Sequence, residues 1–287
     1  MNSRSEGFTL AEIMIVVLLS SIIMGSIYQM IVMQDKTTRE QYAVIETQQN
    51  ARTALAVMTA DLKEISAVDG DVLGATETSI SFRALRKGAF VCNVGLNTID
   101  VAELGAPFVV GDNVLIFSEG ANANSAADDS WLNRQVSAVD ALASTSCTGN
   151  PFGAVGWRRL LLSLPPTNVQ QGALVRSYTP MRYRISDNGE WGQLMRRVAE
   201  PPLGTAVESA IIDRLSSTAE GGLQLRYFNA AGTQIPVANL ATNLNNIMRV
   251  QVKVRGKAVT SVATTGSNRY QDSLVTTVFL RGNFRSQ

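Results

Sequence analysis

The sequence contains no histidine. The commonest general base and the commonest metal ligand are therefore missing, which excludes Ser-His-Asp triads and His-based zinc sites. Only 2 cysteines are present, too few for a four-thiolate site. Charge is scarce as well: Asp, Glu, Lys and Arg make up 17% of the chain, and 25 basic side chains against 24 acidic ones leave a formal net charge of +1. So balanced a chain lacks the basic excess that drives polyanion binding, and nucleic acid is not expected as a partner. There is also no nucleotide-binding loop and no metal-ligand spacing. The composition points away from catalysis, and neither an enzyme activity nor a cofactor is expected.

The apolar residues are distributed very unevenly. Residues 8–33 read FTLAEIMIVVLLSSIIMGSIYQMIVM, with Glu12 as the one ionisable acid or base. As a helix this run spans about 39 Å, enough to cross a hydrocarbon core of about 30 Å. A removed signal peptide would have an apolar core of about 7–15 residues after a basic start, ending at small residues. Here the run is longer, and Met1–Gly7 holds only Arg4 and Glu6 as charges. A retained membrane helix is expected.

From Gln34 to Ser66 there is no proline or glycine. Tyr42, Ile45, Ala51, Leu55, Met58, Leu62 and Ile65 recur mostly three or four apart, while Asp35, Lys36, Arg39, Glu40, Arg52 and Lys63 take other positions. This spacing predicts one apolar stripe on an amphipathic helix over residues 34–66. With no breaker at the join, a single helix from about Phe8 to Ser66 is expected, and its second half should pack on a domain of its own chain.

That domain, residues 67–287, begins where glycine returns at Val68–Glu77. Short β-rich runs follow, separated by turn residues. They are Ser79–Ala84, Asn113–Phe117, Arg159–Leu164, Pro180–Ile185, Gly192–Val198, Leu223–Phe228, Met248–Arg255 and Asp272–Arg281. Asn188-Gly189 predicts a hairpin turn. Ala121–Ser130 reads as a surface loop, and 237–247 as a short helix or a loop. The fold class expected is α+β, one long N-terminal helix on an antiparallel β domain.

The membrane junction reads Glu6-Gly7-Phe8-Thr9-Leu10-Ala11-Glu12. Singly, Gly7 could be a helix-start glycine and Glu12 an acid near a membrane surface. A carboxylate within lipid costs about 2.5–3.5 kcal/mol, so an unpaired one calls for a function. The apolar run supplies no cation, whereas a free amine at Phe8 would. G-F-T-L-x-E followed by an apolar stretch resembles the class III leader of type IV pilins and type II secretion pseudopilins. The resemblance implies that prepilin peptidase removes residues 1–7, a cytoplasmic leader, by cutting between Gly7 and Phe8, and that Phe8 is then N-methylated. It implies that Glu12 pairs with the terminal amine of a neighbouring subunit. Glu6 departs mildly from the pattern, since family leaders often carry a basic residue there.

Major pilins are usually much shorter, which points to a minor subunit. Gln48-Gln49-Asn50-Ala51-Arg52-Thr53-Ala54-Leu55 with Met58, Asp61 and Leu62, and the ending Val278–Phe284, resemble the PilW group of minor pilins. The J-type minor pseudopilin of type II secretion is similarly built and is the alternative. Either implies an inner-membrane, single-pass protein with a periplasmic β domain, acting in a tip or initiation complex with other minor and major pilin subunits. A membrane-anchored periplasmic enzyme or binding module is a third reading. In a periplasmic domain Cys92 and Cys147 are expected to form a disulfide. Asp69-Gly70-Asp71 and Asp128-Asp129 lack calcium-loop spacing and read as solvated acids, so no metal is expected. Arg158-Arg159 and Arg196-Arg197 read as strand-edge charges; nucleic-acid binding would need them gathered with Trp157 or Trp191 on one face.

Overall fold

The computed structural model describes residues 9–121, 128–141, 156–199, 206–261 and 269–281. One helix, α1 (Leu10–Leu62, 53 residues), runs for about 80 Å. Antiparallel strands follow it: β1 (Val72–Ala75), β2 (Ser79–Val94), β3 (Thr98–Leu104), β4 (Asn113–Ser118), β5 (Ser130–Ala141), β6 (Trp157–Leu162), β7 (Leu174–Asn188), β8 (Trp191–Val198), β9 (Val207–Leu215), β10 (Leu223–Phe228), β11 (Arg249–Ser261) and β12 (Arg269–Phe279). The architecture is α+β, a long N-terminal apolar helix followed by an antiparallel β domain. Every strand expected from the sequence is present, and β1, β3, β5 and β9 are additional. The segment 237–247 holds two 3-10 turns, Val237–Thr242 and Leu244–Asn246. The β7–β8 hairpin closes with the pair Asn188 and Trp191, so Gly189 and Glu190 form its turn, one residue later than the Asn-Gly pair suggests. Gly189 takes φ +63°, which suits glycine.

The strands pair in a closed circuit: β2 with β3, β3 with β6, β6 with β5, β5 with β4, β4 with β7, and β7 back with β2. Closure removes the free edges of these strands. Val91, Ile99, Val101, Phe108, Val114, Ile116, Val136, Leu160 and Val175 are buried together within the ring. The long strands β2 and β7 also leave it. Past a register shift between Leu85 and Lys87, the Ser79–Leu85 half of β2 pairs with the 178–184 part of β7. There they join β1, β8, β9, β11, β10 and β12 in the sheet that receives the helix. A bulge of this kind bends a strand from one surface into the next.

The second core lies between that sheet and the second half of α1. Ala51, Ala54, Leu55, Met58 and Leu62 are buried against Phe82, Tyr183, Leu225, Val250, Val252 and Val254. The expected stripe is corrected at its N-terminal end: Tyr42 and Ile45 are 68% and 48% exposed, and Ala43 and Thr47 are buried instead. Opposite them β11 presents Gly256, where a Cβ would lie only 2.6 Å from the Thr47 carbonyl oxygen. Helix and strand approach so closely that small side chains, not the large apolar ones, occupy the covered face.

Candidate functional site

The site follows from how the helix begins and what covers it. Thr9 adopts extended backbone and caps α1. Its hydroxyl accepts from the Glu12 amide at 3.3 Å, and Glu12 Oε2 accepts from the Thr9 amide and hydroxyl, each at 3.0 Å. This reciprocal capping box satisfies amide groups that would otherwise lack partners at a helix start. The reading of Glu12 from sequence missed this local role, although the T-x-x-E spacing signals it. Glu12 is exposed, and its second oxygen, Oε1, has no partner among the described residues. Gly7 and Phe8 lie outside the described residues.

Among the described residues, nothing covers the first half of α1. Every side chain from Thr9 to Arg39 is exposed, including Leu18, Ile22, Ile23 and Ile31. The helix is long and apolar enough to cross a membrane. An all-round apolar helix of this kind is stable only in lipid or among other helices. Further along, the exposed Tyr42 and Ile45 extend the uncovered apolar surface beyond residue 33, towards the β domain.

The remaining candidates have structural partners. Asp61 accepts a 2.5 Å hydrogen bond from the Tyr183 hydroxyl. Asp71 is fully buried, accepts from the Ser66 amide at 3.0 Å, and lies with Asp69 beside Arg176, whose Nη2 is 3.7 Å from Asp71 and 3.4 Å from Asp69. The expectation that Asp69 and Asp71 are solvated loop acids is thus corrected at Asp71. Burial pushes its carboxyl above the usual range, opposed chiefly by Arg176. Asp128 accepts from the Ala121 amide at 2.8 Å, and Asp129 is exposed. Among the described residues, no group of three His, Cys, Asp or Glu side chains could hold a metal ion.

The two arginine pairs are far from equivalent. On β6, Arg159 clamps Asp100 at 2.7 and 3.0 Å, and Arg158 reaches Glu103 at 3.3 Å. The Arg159 clamp holds the Asp100 carboxyl below its ordinary range. On β8, Arg196 is in register with Tyr183, on the helix-facing side, and Arg197 points the other way beside Arg182 and Glu208. Trp191 stacks under Arg269 at 4.6 Å. Trp157 shares a face of β6 with Arg159, which Asp100 already engages, and β6 and β8 are not neighbouring strands, so the two arginine pairs do not form one cluster.

Cys92 is half-buried and is the extra residue of a bulge on β2, between the pairs Val91–Val101 and Asn93–Asp100. Among the described residues there is no free cysteine. Cys147 lies outside them.

Residues 2–28 match the family described as the prokaryotic N-terminal methylation motif. No curated protein and no solved structure matches the chain. The match covers the start of α1, with Thr9, Glu12 and the uncovered apolar surface just described. It supports a membrane-anchored, type IV pilin-like protein, a structural subunit rather than an enzyme, processed by prepilin peptidase and assembled with other pilin subunits.

Proposed function

We propose that the chain is a PilW-like minor pilin that helps to initiate, assemble or cap a type IV pilus after prepilin peptidase cuts between Gly7 and Phe8. The observation that carries this reading is the methylation motif at the head of an apolar helix that the described residues leave bare. The leader stays in the cytoplasm and the β domain lies in the periplasm. Methylated Phe8 opens the mature chain, and its amine pairs with Glu12 of a neighbouring subunit. The unpartnered Oε1 supports that role, because the capping box occupies only Oε2. Tyr42 and Ile45 continue the subunit contact where the helix emerges from lipid.

Two measurements test the proposal. N-terminal mass spectrometry of the membrane-purified protein should find methylated Phe8 first, and a dominant species starting at Met1 would overturn the reading. The role of Glu12 is tested by separating cap from charge. Glutamine at the same position keeps the capping-box acceptor but carries no charge. Both Glu12→Gln and Glu12→Ala should be cleaved and inserted normally, yet both should capture fewer partner subunits from detergent. Wild-type capture by Glu12→Gln would reduce Glu12 to a cap.

A further inference from the structure

The sheet face of β10, β11 and β12 turned away from the helix carries cations and aromatics in register. One row across the three strands is Phe228, Arg249 and Phe279; the next is Arg226, Gln251 and Thr277; the third is Gln224, Lys253 and Val275. Arg255 follows, beside Ser273. None of these positions is an acid. Alternation places Leu225, Tyr227, Val250, Val252 and Val254 in the core behind them. The Arg249 guanidinium lies 5.3 Å from the centre of the Phe228 ring and 5.8 Å from that of Phe279, which is 57% exposed.

The cations are uncompensated. Among the described residues, Arg226, Arg249 and Lys253 have no carboxylate partner. Arg255 donates to the Glu220 carbonyl at 2.8 Å, and the Glu220 carboxylate is held by Lys257 at 2.9 Å. Glu77 lines a cleft of about 280 Å³ together with Arg226 but does not pair with it. A groove of about 400 Å³ opens at the end of the first row, between Ala230, Ala231, Met248, Arg249 and Phe279. The near-zero net charge therefore does not preclude a local excess: the three rows and Arg255 hold four cations and no acid, with Glu77 and Glu220 at their margins.

We propose that this face binds single-stranded nucleic acid. Charge complementarity calls for a polyanion, and the aromatic rings narrow its class. Unpaired bases stack on Phe279 and on the guanidinium plane of Arg249, while Arg226, Lys253 and Arg255 follow the phosphates over about 20 Å of β11. A duplex offers its bases only in grooves that a helix or ribbon must enter, and this face is a sheet surface. An acidic protein or an anionic bilayer would satisfy the cations without needing the rings. The surface is distinct from the start of α1, so the inference stands or falls independently of the pilin reading.

The test uses the full chain in detergent micelles and a fluorescein-labelled 15-mer of thymidylate, read by anisotropy in low salt. Saturable binding is expected, stronger than to a duplex of equal length or to polyglutamate of equal charge. Phe279→Ala should weaken it about tenfold. Lys253→Ala should reduce the slope of log affinity against log salt by about 0.7, the value for one single-strand phosphate contact. Circular dichroism should show both variants folded. The proposal is overturned if the oligonucleotide is not bound, or if polyglutamate or anionic phospholipid vesicles displace it at equal charge. A folded Phe279→Ala that binds like wild type overturns it as well.

Discussion

The hydroxyl of Tyr183, in the middle of β7, donates to Oδ2 of Asp61, in the last turn of α1, at 2.5 Å. Tyr183 itself is fully buried and stacks on Phe82 with ring centres 6.0 Å apart. A polar contact at the rim of an apolar interface selects one rotation and one height of the helix on the sheet, which hydrophobic burial alone does not. Burial first, then Asp61, pushes the ionisation of Tyr183 well above the ordinary tyrosine range.

Tyr183→Phe should therefore lower stability by about 1–2 kcal/mol at neutral pH, by leaving Asp61 without its donor. The folded-state pKa is raised, so the tyrosine's contribution is full below its unfolded value of about 10 and is lost as pH rises beyond it. Denaturation at pH 7 and above pH 10 should show the gap between wild type and variant narrowing at the higher pH.

Arg176 should be far less dispensable than a surface arginine. Its side chain is 5% exposed, sits 3.8 Å from the centre of the Trp131 ring and faces Asp69 and Asp71. Arg176→Ala leaves Asp71 buried without its main counter-charge and should cost about 3–5 kcal/mol. Adding Asp71→Asn should recover part of that loss. Because burial raises the Asp71 carboxyl in the folded state, the single variant's deficit should shrink as pH falls and Asp71 protonates. Denaturant titrations of wild type, both single variants and the double variant at pH 7 and pH 4 check all three statements.

Gly256→Ala should push α1 off the sheet, because the added Cβ would meet the Thr47 carbonyl at 2.6 Å and the Thr47 Cγ2 at 2.7 Å. Overpacking of this kind costs about 1–3 kcal/mol, or a few degrees in Tm for each kcal/mol. Gly25→Ala is the control, since nothing lies within 4 Å of that position. Its melting temperature in detergent should not fall.

If Cys92 and Cys147 are joined, as a periplasmic β domain implies, the bridge closes a loop of roughly 55 residues and should contribute about 4 kcal/mol, less any native strain. Thiol labelling of the denatured, unreduced protein should find neither cysteine reactive. Two freely alkylated thiols would refute the pairing and call the periplasmic placement into question.

The helix was legible because its signals are local: an apolar run, then a 3.6-residue period, with no proline or glycine between Gln34 and Ser66. Its covered face was legible only from Ala51 onward. Nothing in Tyr42 or Ile45 reveals that a glycine more than 200 residues later draws the helix so close that alanine and threonine must face the sheet. The strand β3 was missed because Asp100 and Glu103 make Thr98–Leu104 look like a loop, yet both are buried in partnership with arginines on β6. The strand β9 was missed for the opposite reason. Val207, Glu208, Ser209 and Ala210 are all exposed, so no alternation marks them. The assembly role proposed for Glu12 rests on its setting in an apolar run, whereas the cationic rows on β10–β12 depend on strand register, which pattern alone does not supply.

The pairing of β2 with β7 also sets an order of events during synthesis. Its partners are as far apart in the chain as Ser79 and Arg184, and the helix's buried face waits still longer, for a β11 that begins about 190 residues after Leu62. Contacts this distant in sequence slow folding, because loop closure must be achieved before they contribute. The emerging chain must therefore leave the part of the helix face that β11 covers exposed until almost all of it has been made. The apolar first half of α1, long enough to cross a membrane, would tether that chain throughout the interval and keep one unfinished subunit from diffusing freely into another.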